Sequence, residues 1–112
     1  MSGRKSKQKG KRGEREWAQV LTENGINSKR GVQYQGGPES PDVVSEDCIA
    51  HWEVKKAEAL RIHDALDQAI DDCPSDKIPI VSYKKSRKDW ICIMRGKDAI
   101  DLIKYASLAN SL

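Results

Sequence analysis

The sequence predicts one α/β domain built on a mixed sheet of about five strands flanked by helices, in the order α-β-β-β-α-β-β-α. Three observations predict it. Apolar residues recur at helical spacing in three separate segments. Short runs rich in β-branched residues, bounded by Gly, Pro, Asp or Ser, lie between those segments. At 112 residues the chain has room for one small domain and not for two.

Residues 1–12, almost wholly Gly, Ser, Lys and Arg, have no apolar face to bury, and a mobile basic arm is expected there, ahead of a single domain over 13–112. Glu14 to Asn24 reads as a helix, because Trp17, Val20 and Leu21 share a face and Gly25 suits the position just past its end. Ile26 to Tyr34 reads as a strand, and Gln35-Gly36-Gly37-Pro38-Glu39-Ser40-Pro41 as a loop. Asp42-Val43-Val44 and Ile49 to Lys55, parted by the polar Ser45-Glu46-Asp47, make a β-hairpin. Ala57 to Cys73 follows helical spacing through Leu60, Ile62, Leu66, Ala69 and Ile70. Asp64, Asp67, Asp71 and Asp72 then fall on its solvent face. Lys77 to Tyr83 and Trp90 to Met94 read as two strands joined by the Lys84–Asp89 turn, and Gly96 to Asn110 as a helix carrying Ile100, Ile103 and Leu108. Trp17, Trp52 and Trp90 are expected in the core.

The net charge is +3, from 20 Lys+Arg against 17 Asp+Glu, and its distribution says more than its size. Residues 1–12 hold six bases and no acid, so residues 13–112 carry a net −3. No apolar run approaches the ~18 residues of a membrane span, and no apolar stretch of signal-peptide length follows the basic N-terminus. Cys48, Cys73 and Cys92 are an odd set without a CxxC, which points to buried thiols in a cytoplasmic protein, not to disulfides or zinc. His51 and His63 lack partners at ligand spacing and read as structural.

The informative centre is Pro41-Asp42 followed by Glu53-Val54-Lys55. Side chains alternate along a strand, so Glu53 and Lys55 share one face while Trp52 and Val54 take the other. A hairpin between Val44 and Ile49 brings Asp42 beside Glu53. Two converging carboxylates are costly unless a cation neutralises them. Mg²⁺ suits the pair, since it takes hard oxygen donors and commonly binds through one or two carboxylates plus water and phosphate oxygens; the Val54 carbonyl is a further donor. Lys55 would then lie near a phosphate and stabilise developing negative charge. Taken singly, E-x-K is usually a solvated ion pair and Pro-Asp a turn; their combination, in this order, points to chemistry.

In this combination the sequence resembles the PD-(D/E)xK nuclease superfamily, and within it the small Holliday-junction resolvases of archaeal and phage kind. The likeness runs from about Gly10 to the Trp90 strand. It comprises a basic, Gly-containing lead into a helix (Lys9-Gly10-Lys11-Arg12-Gly13-Glu14-Arg15), the Gly-rich approach Gln35-Gly36-Gly37, Pro41-Asp42, and Glu53-Val54-Lys55. The resemblance implies a restriction-endonuclease-like core and a Mg²⁺-dependent endonuclease, with Mn²⁺ as the alternative ion. Its partners would be branched or double-stranded DNA and a second copy of the chain in a homodimer. Its location would be the cytoplasm of a bacterial, archaeal or phage-infected cell. It implies Asp42 and Glu53 as metal ligands, joined by the Val54 carbonyl, and Lys55 as the residue that assists the nucleophile. Glu14 would place a metal or its water shell, with Glu16 as its rival. Gln68, on the helix that follows, is an auxiliary candidate.

Resolution of four-way junctions is the leading activity. Nicks, flaps or plain duplex as substrates, and a non-catalytic nucleic-acid-binding protein, are the alternatives. A binding module has no use for two acids beside the phosphate path, since they repel it unless a cation intervenes. DNA contacts are expected from Arg4, Lys5, Lys7, Lys9, Lys11 and Arg12, from Lys29 and Arg30, and from Lys84 and Lys85 with Arg87 and Lys88. Tyr34 is the aromatic residue nearest a nucleotide in this reading.

Overall fold

The computed structural model describes the backbone of residues 2–31 and 41–111 and the side chains of residues 10–31 and 41–110. In chain order its elements are α1 (Ser2–Glu23), β1 (Ser28–Arg30), β2 (Val43–Ser45), β3 (Ala50–Lys56), α2 (Ile62–Asp72), β4 (Ile78–Lys84), β5 (Ile91–Ile93) and α3 (Gly96–Ser111). This is the predicted order. The strands form one sheet in the order β1-β2-β3-β4-β5. β3 and β4 run parallel, with α2 as the crossover between them, and the other neighbours are antiparallel. No helix among the described residues is long and apolar enough to cross a membrane.

The alternation predicted for β3 holds. Trp52 and Val54 point to the face covered by α1, where they meet Trp17, Ala18 and Leu21 along with Val43 and Ile80. Trp17 sits edge-on to Trp52 with ring centroids 5.3 Å apart, and 5.0 Å from Trp90, so the three tryptophans form one aromatic cluster. On the opposite face, Ala65 and Ala69 of α2 lie on Val81, with Leu60, Leu66 and Ile93 around them. The small side chains of α2 let it lie close to the sheet and beside Glu53 and Lys55.

Gly25 terminates α1 as predicted. It takes φ +89°, and the Ile26 N–H donates to the Leu21 carbonyl (2.9 Å) while the Gly25 N–H donates to that of Thr22 (3.1 Å). That is the paired bonding of a left-handed helix cap.

Four local expectations are corrected. The helix begins at Ser2 and not Glu14, so the backbone expected as an arm is helical; Lys, Arg and Gln are good helix formers and need no apolar face to turn. The side chains of Arg4, Lys5, Lys7 and Lys9 lie outside the described residues, as do Tyr34 and most of the Gly-rich loop. The second helix begins at Ile62 and not Ala57. The Ala57 N–H donates to the Lys84 carbonyl (3.1 Å) and its own carbonyl accepts from the Tyr83 hydroxyl (2.9 Å), which holds this residue against β4. Asp72 is half-buried and not part of the solvent face. Cys92 is exposed on β5, unlike the half-buried Cys48 and Cys73.

Candidate active site

Three elements meet at one end of the sheet. Asp42 stands at the start of β2, Glu53 and Lys55 on the last half of β3, and Gln68 and Asp72 on α2. The placement of Asp42 has a local cause. Its N–H donates to the Trp52 carbonyl (3.0 Å), while its Oδ2 accepts from the Val54 N–H (2.8 Å). The carboxylate thus occupies a ladder position where β2 diverges from β3, and it is anchored to the strand that bears Glu53. Gly31 makes this possible: its N–H donates to the Asp42 carbonyl (2.8 Å), and a Cβ there would collide with the Pro41 carbonyl. Only glycine lets β1 pass so close to the Pro-Asp step.

These residues line an open cleft of about 570 Å³, walled by Glu14, Asp42, Glu53, Lys55, Gln68 and Asp72 and by the Val54 backbone. Glu53 is only 5% exposed. Burial, then the Asp42 charge, pushes the Glu53 carboxyl up to about 7. Asp42 is pushed up to about 6, by burial first and then by the charge of Glu14; the Val54 N–H and the Lys55 ammonium work against the rise. The two acids oppose each other's ionisation because they share one poorly solvated spot. Lys55 Nζ lies 3.7 Å from Glu53 Oε1 and 3.5 Å from Gln68 Oε1, so it leans over the pair from the α2 side.

The first-helix acids part company. Glu14 faces the cleft, but its Oε1 accepts from Arg30 Nε (2.8 Å). Glu16 does not line the cleft and pairs instead with Lys56 Nζ (2.7 and 2.9 Å). Their two-residue separation puts them on different sides of the helix.

Asp42 and Glu53 fit a divalent ion. Two desolvated carboxylates that suppress each other's charge are what a cation stabilises, and Mg²⁺ characteristically takes one or two carboxylates while keeping several waters. Among the described residues no group of three or more His, Cys, Asp or Glu side chains converges as a ready-made metal cage. Glu14 is drawn to Arg30, which leaves the two-acid set.

Of the remaining candidates, Lys11, Arg12, Lys29 and Lys85 are exposed. Arg30 is committed to Glu14, and Lys84 Nζ donates to the Lys88 carbonyl. In register, Lys84 lies beside Lys56, so the basic β4–β5 turn stands at the same end of the sheet as the cleft. Asp72 is the residue that sequence reasoning missed. It follows Gln68 by four positions and therefore shares its helix face, a spacing that links the two.

No family model matches the sequence, and no curated protein matches it significantly. Among solved structures, the chain is similar to Hjc, a Holliday junction resolvase from the archaeal hyperthermophile Archaeoglobus fulgidus. The TM-score is 0.59 and the identity 25%, over 77% of this chain and 72% of that one. With its five-stranded mixed sheet, flanking helices and strand order, the chain has the Hjc-like nuclease fold and resembles the archaeal Holliday-junction resolvases, enzymes of PD-(D/E)xK type.

Proposed function

We propose that this protein is a metal-dependent endonuclease that cuts DNA at four-way junctions. The observation that carries the reading is the buried Asp42–Glu53 pair overhung by Lys55, in a fold shared with a junction resolvase. A surface without chemistry to perform gains nothing from two carboxylates that burial makes costly to ionise.

Asp42, Glu53 and the Val54 carbonyl would hold Mg²⁺, with Mn²⁺ as the substitute. When bound, the ion supplies a Lewis acid for the phosphodiester and a source of hydroxide near neutral pH. The protein's own groups do the rest. Lys55, steadied by Gln68 and Glu53, presents its ammonium to the phosphoryl oxygens, where negative charge grows. Glu14 orients water at the rim of the cleft, and Arg30 holds Glu14 there. Lys11, Arg12, Lys29, Lys84 and Lys85, with the basic residues of the first turns of α1, take the flanking phosphates. Resolving a junction requires two symmetric cuts, so two copies of the chain would act together.

The test uses purified protein on a labelled four-way junction and a matched linear duplex, with Mg²⁺ or EDTA. Asp42→Asn and Lys55→Ala are expected to bind the junction as the wild type does and to lose cleavage by about a hundredfold or more. Equal cleavage by wild type and Asp42→Asn would remove the site, and equal cleavage of junction and duplex would remove the junction preference.

A further inference from the structure

The basic turn between β4 and β5 already holds an anion. Lys84, Lys85, Arg87 and Lys88 crowd into five residues, and all but the half-buried Lys84 are exposed. The turn is tight: the Lys88 N–H donates to the Lys85 carbonyl (3.1 Å), Arg87 takes φ +66°, and Lys84 Nζ donates to the Lys88 carbonyl. At its tip the Ser86 N–H donates to Glu58 Oε2 (3.2 Å), a carboxylate from the connection between β3 and α2, 28 residues earlier.

That contact adds little to the fold. The connection is fixed to β4 at Ala57, whose N–H donates to the Lys84 carbonyl (3.1 Å) and whose carbonyl accepts from the Tyr83 hydroxyl (2.9 Å). Glu58 and Ser86 are both exposed, where water serves a backbone N–H almost as well. What the contact reproduces is a bound phosphate. A phosphodiester is likewise an anion whose oxygens accept from backbone N–H groups, and N–H groups beside Lys and Arg are regular points of contact with a DNA backbone. The place suits such a ligand. Lys84 stands in register with Lys56, and Glu58 lies in sequence between Ala57 and Leu60, which line the cleft together with Lys56.

We propose that the Ser86 N–H and the bases of its turn form a seat for one backbone phosphate of a DNA strand, held by Glu58 in the free chain and yielded to the phosphate on binding. The seat rests on the reading of the cleft as a DNA-cutting site and adds a directed contact beside it. Lysine side chains follow a phosphate wherever it lies, whereas a backbone N–H in a tight turn has one direction. Glu58 competes with every anion that enters, so it weakens binding in proportion to how well it fills the seat.

Binding of a linear duplex to the full chain is measured in EDTA, where a metal-dependent cut does not occur. Glu58→Gln keeps the side-chain shape and removes the anion, and is expected to tighten binding about fivefold, on the scale of one charged hydrogen bond. Asp89→Asn makes the same change of charge elsewhere in the turn and is expected to tighten it less than about twofold. Ser86→Pro removes the N–H at a turn position that suits proline and would weaken binding about fivefold. On the Ser86→Pro background, Glu58→Gln would gain no more than Asp89→Asn does. A further readout needs neither DNA nor the proline variant. In amide NMR spectra titrated with inorganic phosphate, the Ser86 signal of Glu58→Gln is expected to move at lower phosphate than that of the wild type. A Glu58→Gln variant no tighter than Asp89→Asn, an undiminished gain on the Ser86→Pro background, or a Ser86 signal that phosphate leaves unmoved in Glu58→Gln would overturn the seat. A Ser86 signal that responds to phosphate in a protein that cuts no DNA would remove the nuclease reading and leave the seat standing.

Discussion

Asp42 and Glu53, the carboxylate pair of the cleft, tax the fold that buries them. Their carboxyls rise from ordinary values of 3.8 and 4.5 to about 6 and about 7. Between those limits the folded chain holds protons that the unfolded chain has released. Stability therefore falls as pH rises through this window, by up to about 1.4 kcal/mol per pH step of one for each carboxyl. In chelator, the thermal midpoint of the wild type is expected to be higher near pH 5 than near pH 8. Asp42→Asn removes one of the two opposing charges and would flatten the fall, leaving the variant the more stable protein at pH 8. Mg²⁺ favours the ionised pair and would raise the wild-type midpoint most at the alkaline end, with little effect on Asp42→Asn. A wild-type midpoint that climbs with pH, or a variant that falls as steeply, would show that the carboxyls are not raised in the folded chain.

At the scale of elements, the site depends on how closely β1 approaches the Pro-Asp step. Gly31 is buried and its missing Cβ is what admits the Pro41 carbonyl. Gly31→Ala is expected to cost about 2 kcal/mol, as overfilling a tight contact does, and to displace Asp42 from the Val54 N–H. Urea titration reads the first effect; weakened Mn²⁺ binding reads the second. Unchanged values for both would mean the strands give way freely.

The hairpin and the facing of Glu53 and Lys55 were legible in the sequence because both follow from the two-residue period of a strand, which tertiary context seldom overrides. The start of α2 was not. Ala57 continues helical spacing in sequence, yet it is claimed by hydrogen bonds to Tyr83 and Lys84, residues far along the chain. The place of Asp72 in the cleft wall was hidden for a related reason: an acid on an amphipathic helix looks solvated until the neighbouring strand is placed beside it. The choice between Glu14 and Glu16 likewise turned on two partners, Arg30 and Lys56, that only the assembled sheet brings near.

At the scale of the whole molecule, the segregation of charge follows the geometry of the cleft. Gly10 and Glu14 of α1 line it, and the exposed bases Lys11 and Arg12 stand between them in sequence on the same helix. The Lys84–Lys88 turn stands at the same end of the sheet. The exposed acids Asp64, Asp67 and Asp71 lie along α2 and do not line the cleft. A duplex arm laid across the cleft would thus meet the basic stretch of α1, the Lys84–Lys88 turn and, at the centre, the carboxylate pair, whose charge a cation would offset. Each phosphate neutralised by a rim base adds close to one to the dependence of log affinity on log salt. Replacing Lys11 and Arg12 with Gln is therefore expected to lower that slope by about 2, and to weaken junction and duplex binding by the same factor, because phosphate contacts carry no information about branching. Cleavage at saturating protein would stay at the wild-type rate, since neither side chain reaches the carboxylate pair. Titrations at several salt concentrations, with junction and duplex in parallel, measure all three quantities. An unchanged slope would take α1 off the DNA path, and a loss confined to the junction would make Lys11 and Arg12 readers of branch shape.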